Sequence, residues 1–365
     1  MPWRALLSAD PLPWILASSE PWARQLARTR LCGAGPDAEE VRADRTTTRA
    51  HPLVRGLVAR LPDWEAPAEI SGHHHPLFAP NLLRLLWDLG VGPGDEPAVE
   101  ATLDAMLRHQ DAEGRFLAFA RWRGAVAPVW GSLSCDHHAI VETLVRWGRG
   151  DDPRGRAGLA RLLADLGPTA QGPAFFCRPD PALGFRGPGR ARDACPQVAV
   201  EALRAWGGLP PRDRPPEAGA VARTLLRIWR ARGAEKPFMF GHGSAFKAGK
   251  WPRTWYDAAA VLEAVAPWPE VWRDGAGEDR RAAAELVACL EAYAFDPDGR
   301  VRPRSTFKGF EAFSFGQKKA PSPFATAALC AVLHPFADLA ADVRAVDVAA
   351  LPSSKGGAGT ARPPR

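Results

Sequence analysis

An all-helical protein is what this sequence predicts, and three observations carry the prediction. Apolar residues recur at helical spacing over pairs of stretches along most of the chain. Alternating Val, Ile and Thr runs long enough for strands are missing, and tyrosine occurs only twice. A shared pattern returns at a nearly fixed interval: the stops at Gly90, Gly148, Gly207, Pro267 and Pro335 stand 58, 59, 60 and 68 residues apart.

Taken in order, residues 4 to 31 place Trp14, Ile15, Leu16, Trp22, Leu26 and Leu31 at near-helical spacing, with a break and restart at Pro21. A polar linker is expected from Gly33 to Arg49. Within each period a first amphipathic helix follows: Leu53 to Leu61, Val99 to His109, Ala157 to Leu166, Ala218 to Arg230 and Arg280 to Tyr293. An aromatic, Gly- and Pro-rich loop then leads to a second, more apolar helix that Gly or Pro ends. Long loops that recur in register are commonly functional. The tail from Pro352 to Arg365 is Pro, Gly, Ser and Arg without an apolar stripe, and reads as disordered. The expected organisation is a helical extension with its linker over 1–49, one repeat domain over 50–351, and a tail over 352–365.

Hairpins of this kind stack into an open superhelix or close into a ring with the second helices inside. The ring is favoured by second helices such as Ala258 to Leu262 and Phe324 to Leu329, which are small and apolar on most faces. A ring encloses a pocket. An open stack offers only a groove.

Composition narrows the function classes. The net charge is +6, but 47 Lys and Arg are interleaved with 41 Asp and Glu, so no nucleic-acid-binding run appears. No stretch reads as a transmembrane segment or a secretory leader, and a cytoplasmic location is expected. Six cysteines without a CxxC pair do not make a disulfide scaffold, and Cys289 and Cys330 read as buried small hydrophobes. P-loop, GxGxxG, GxSxG and HExxH motifs are absent. Oligomeric state is not legible.

Residues 110–116, Gln110-Asp111-Ala112-Glu113-Gly114-Arg115-Phe116, resemble the Gln-x-x-Asp/Glu-Gly-x-Trp/Phe turn of the α/α-toroid superfamily, which holds terpenoid cyclases and the β subunits of protein prenyltransferases. Asp296-Pro297-Asp298-Gly299-Arg300 looks like a degenerate copy. Residues 240–246, 251–257 and 315–323 are similar to segments of uncharacterised bacterial proteins of that type, and the resemblance covers about residues 50 to 336. It implies an α/α toroid of about five hairpin repeats, acting on an isoprenoid or lipid. The Asp-x-Asp-Asp acid of squalene-type cyclases is not present. A non-catalytic helical-repeat protein binding a peptide or protein partner is the alternative.

Three clusters fall at the same point of successive repeats: His73-His74-His75, Cys135-Asp136-His137-His138 and Asp193-Ala194-Cys195. Cysteine, histidine and carboxylate are the donors zinc prefers. The expected ligand subset is Cys135, His138, Cys195 and Cys177 or His75. The same residues also read as helix caps (Asp136, Asp193), a solvated loop (His73 to His75) and core (Cys135, Cys195). Six of the seven lysines lie between 236 and 319, among aromatics. Lys247, Lys250, Arg253, Trp255, Lys308, Lys318 and Lys319 could hold an anionic amphiphile, cations on the head and rings along the tail. Asp257, Tyr256, His242 and Asp136 are the candidate acid–base groups, with the capping reading of Asp257 the favoured one.

Overall fold

Periodicity and caps place the helices close to where the pattern puts them. A computed structural model describes residues 1–65, 72–120, 126–177, 192–234 and 243–352. The first helices are Pro52–Val58, Pro97–Arg108, Pro153–Asp165, Ala218–Ala231 and Gly277–Ala294; the second are Ala79–Asp88, Ser134–Arg146, Pro196–Gly207, Ala258–Val265 and Pro323–Leu333. The chain is mainly helical. Strand is confined, among the described residues, to two short antiparallel ribbons, Ala118–Ala120 with Val129–Gly131 and Gly167–Thr169 with Gly172–Ala174.

Three of the helix starts carry a side-chain cap. Asp152, Asp257 and Ser322 each accept a hydrogen bond from a first-turn amide, those of Arg154, Ala260 and Ala325. The turn at Gln110 is built the same way as its copy at Asp296. Asp111 Oδ1 accepts from the amides of Glu113 and Arg115, and Asp296 Oδ1 from those of Asp298 and Arg300. Gly114 and Gly299 turn each loop at φ +85° and +72°, a region a side chain would strain.

Residues group into two compact units. One holds Met1–Gly56, Leu86–Val91 and Leu226–Arg365; the other holds Leu57–Leu85 and Gly92–Leu225. In the first, Pro21–Arg30 packs on Pro323–Leu333, which also meets Ala258–Val265. The expected linker is a helix here: Glu39–Ala50 lies against Pro21–Arg30. Its one apolar buried residue, Val41, hides the pattern from a periodicity count, while buried Asp44 is paired by Arg24 and Arg28. Pro323–Arg344 has the length and mean hydropathy, 1.5, of a membrane span, but 56% of that window is buried in the fold. It is three consecutive helical segments with a kink at Phe336.

In the second unit, Ser134–Arg146 packs along Pro196–Gly207 and against Pro153–Asp165. Gly158 permits that last approach, since a Cβ there would stand 2.6 Å from the Phe116 ring. Both long helices are buried almost throughout. Their apolar residues make the core, and their polar ones are buried with them. Residues from 353 onward, where the disordered tail is expected, lie outside the described residues.

Candidate metal centre

Three local devices bring chemistry to one end of the second unit. The first is the histidine loop. Asn81, in the first turn of Ala79–Asp88, donates to the carbonyls of His73 and His75 at 2.7 and 2.9 Å, which fixes the loop's backbone. His75 Nδ1 is taken up by the Leu77 amide at 3.1 Å, and His74 is exposed. His73 is left to point inward.

The second device is the start of Ser134–Arg146, which has no side-chain cap among its described contacts. Asp136, one of the expected caps, instead meets His73 Nδ1 at 3.4 Å with its Oδ1. Cys135 Sγ stands 3.2 Å from the same nitrogen. The three donor atoms lie within 4.8 Å of one another, with Cys135 and Asp136 buried.

The third device is the Gly167–Ala174 ribbon, which clamps the chain entering Pro196–Gly207. Gln171 donates to Asp193 Oδ1 at 3.2 Å and accepts from the Ala194 amide at 2.8 Å. The Cys195 amide reaches the Phe175 carbonyl at 2.7 Å. Cys195 is thereby held beside Cys177, and the two thiols hydrogen-bond. The charge of Cys177 reaches Cys135, and that of Cys135 reaches Cys195. Asp193, the other expected cap, serves the Gln171 bridge.

Burial and neighbouring acids set the protonation of this cluster. Burial, followed by the charges of Asp136 and Glu201, pushes the Cys135 thiol far up. The Cys177 hydrogen bond, then burial, does the same for Cys195. Burial resists protonation of His73, yet the hydrogen bond and charge of Asp136 outweigh it and raise its pKa. Burial lifts Glu201 to about 8, against the Gln197 hydrogen bond and the charges of His73, Arg84 and Arg204. Without a cation these thiols stay protonated. A coordinated divalent ion reverses that balance, because binding deprotonates the thiol.

His138, part of the expected subset, stands apart from this group. Its Nδ1 faces the Val198 carbonyl at 3.1 Å and its ring meets Phe175 edge-on at 4.8 Å. Burial holds it neutral, with its pKa lowered to about 4. His137 accepts from the Phe116 amide at 3.1 Å and so braces the Gln110 turn. Packing separates Cys135 from His138: three residues apart they share a helix face, but Cys135 meets His73 whereas His138 turns to the Val198 carbonyl.

Glu201 was not singled out in the sequence. The signal available is that Gln197, Glu201 and Arg204 recur at i, i+4 and i+7 in an otherwise apolar helix and are 2%, 3% and 8% exposed. A groove of about 690 Å³ lies toward the opposite ends of the two long helices, lined by Val145, Leu159, Trp206 and Leu209 with Asp151 and Arg156, and includes none of the thiols.

The expected basic and aromatic residues lie in the first unit. Asp257 caps Ala258–Val265 by accepting from the Ala260 amide at 2.6 Å, and Arg253 approaches its other oxygen at 3.4 Å. Arg253 also reaches Glu263 at 3.4 Å. Lys247 donates to the Tyr293 hydroxyl at 3.2 Å, and Lys250 sits 3.7 Å over the Phe307 ring. Tyr256 is buried against Phe246, and Trp255 leans on it at 5.2 Å. Lys308, Lys318 and Lys319 are exposed. His242 lies outside the described residues.

No protein-family model matches the chain, and no curated protein does. A solved structure titled as a protein from Actinoplanes aligns with 88% of this chain and 90% of its own at 18% identity, with a TM-score of 0.42.

Proposed function

We propose that this protein is a metalloprotein of the α/α-toroid type whose function runs through a zinc centre drawing on His73, Cys135 and Asp136, with the Cys177 and Cys195 thiols beside them. One observation carries the reading: an imidazole from the His73 loop and a thiol and carboxylate from the start of Ser134–Arg146, 4.8 Å or less apart, beside a second pair of thiols. Thiol and imidazole donors suit zinc and ill suit magnesium or calcium, which take oxygen. When bound, zinc supplies Lewis acidity and tight closure of the loops that carry its ligands. Elemental analysis of purified protein tests this. One zinc per chain is expected, with loss of the metal in Cys135→Ser and a lower melting temperature after chelation. A chain that takes up no stoichiometric divalent metal would refute the proposal.

A second reading, an isoprenoid- or lipid-acting enzyme, rests on the toroid resemblance and on Lys250 seated over Phe307. Farnesyl diphosphate should then quench tryptophan fluorescence saturably, less so in Lys250→Ala. Absence of any saturable response removes this reading and leaves the metal centre untouched.

A further inference from the structure

Helix Pro196–Gly207 carries a carboxyl group that packing alone does not account for. Around Glu201, Val198, Ala199, Val200, Ala202 and Leu203 are all fully buried and apolar. Glu201 is 3% exposed. Its Oε1 accepts from Gln197 Nε2 at 2.5 Å, while Oε2 is buried with no hydrogen-bond partner among the described residues. Folded proteins rarely leave such an atom unmet, and each one that persists asks for an explanation. Leucine at this position would fill the same volume at no polar cost. Glu201 is also close enough to Cys135 and His73 for its charge to act on both. Glu201 is thus within electrostatic reach of the candidate metal centre.

We propose that Glu201 Oε2 faces an exchangeable coordination position, so that the metal holds a small oxygen-donor ligand, a water, carboxylate or hydroxamate group, which Glu201 hydrogen-bonds. The inference rests on the metal centre proposed above. It adds that the centre is open, and so built to bind a substrate, whereas a structural zinc closes all four positions with protein donors. A carboxyl group beside an open metal position orients the ligand there, as outer partners of catalytic metals do. The tight group fits this division: His73, Cys135 and Asp136 are three donors, one short of a closed tetrahedron.

The test uses the full chain loaded with Co²⁺, whose visible absorption reports its ligands, titrated with acetohydroxamate. Wild-type protein should show saturable spectral change. Glu201→Leu should take up the same amount of cobalt, melt no lower than wild type, and bind acetohydroxamate about tenfold or more weakly, the usual cost of losing such a partner. Glu201→Gln, which keeps the shape and an acceptor, should fall between them. Two results overturn the proposal: a wild-type cobalt spectrum that millimolar hydroxamate leaves unchanged, or equal hydroxamate affinity in wild type and Glu201→Leu. Failure to bind cobalt at all would appear earlier, in the loading step, and would sink the metal centre itself.

Discussion

Two pairs of helices that the sequence pattern reads as second helices differ in what they bury. In the first unit, Ala258–Val265 and Pro323–Leu333 are buried and almost wholly apolar; Thr326, the buried polar residue of the latter, returns its hydroxyl to the Ser322 carbonyl at 2.7 Å. In the second, Ser134–Arg146 and Pro196–Gly207 bury Asp136, Glu142, Gln197, Glu201 and Arg204 in addition to their apolar residues. Since unsatisfied polar burial is costly, the first pair is what packing alone produces. The second pair keeps groups that packing would discard. The contrast matches the proposal, which puts the metal centre in the second unit and leaves the apolar pair of the first to packing.

The strongest break of that contrast is a cavity in the apolar pair. Leu262→Ala, at a fully buried position, should cost about 2–5 kcal/mol and lower the melting temperature without changing metal content. Loss of bound metal in this variant would show that the two regions are not separable.

Acid sharpens the comparison next. His138 is neutral in the fold, with its pKa lowered to about 4 from 6.5, so the unfolded chain binds the proton first. Its contribution is fully present above pH 6.5, is lost as pH falls toward 4, and is worth about 3 kcal/mol in all. His137 is shifted in the same direction by burial. Urea midpoints of metal-free protein at pH 7.5 and 4.5 should therefore differ less in His138→Phe than in wild type. Parallel losses in the two proteins would contradict this assignment.

The smallest effect is expected at Asp257. As a cap on Ala258–Val265, its replacement by alanine should cost about 1 kcal/mol and leave the metal centre unaffected. A change in zinc affinity there would argue for the acid–base role that its position at a helix start also allowed.

The helices were legible because burial of one face writes a 3.6-residue period into the sequence, and the Asp111 and Asp296 turns because their glycines are needed at positive φ. Helix Glu39–Ala50 was not, since an ion pair between Asp44 and two arginines does the work of an apolar stripe. At the candidate centre, the 60-residue interval from Cys135 to Cys195 pointed to convergence. It could not select His73 over His75 or His138, because that choice is made by Asn81, Leu77 and the Val198 carbonyl. Glu201 was missed for a simpler reason: the stripe of Gln197, Glu201 and Arg204 reads in sequence as a solvated helix face, and only the fold shows it buried.

X-ray absorption at the zinc edge tests the central claim most directly. Zinc-loaded protein should show sulfur neighbours at about 2.3 Å together with nitrogen or oxygen at about 2.0–2.1 Å, and Cys135→Ser should lower the sulfur count. A first shell of oxygen and nitrogen alone, unchanged by that substitution, would place any bound metal elsewhere and contradict the account.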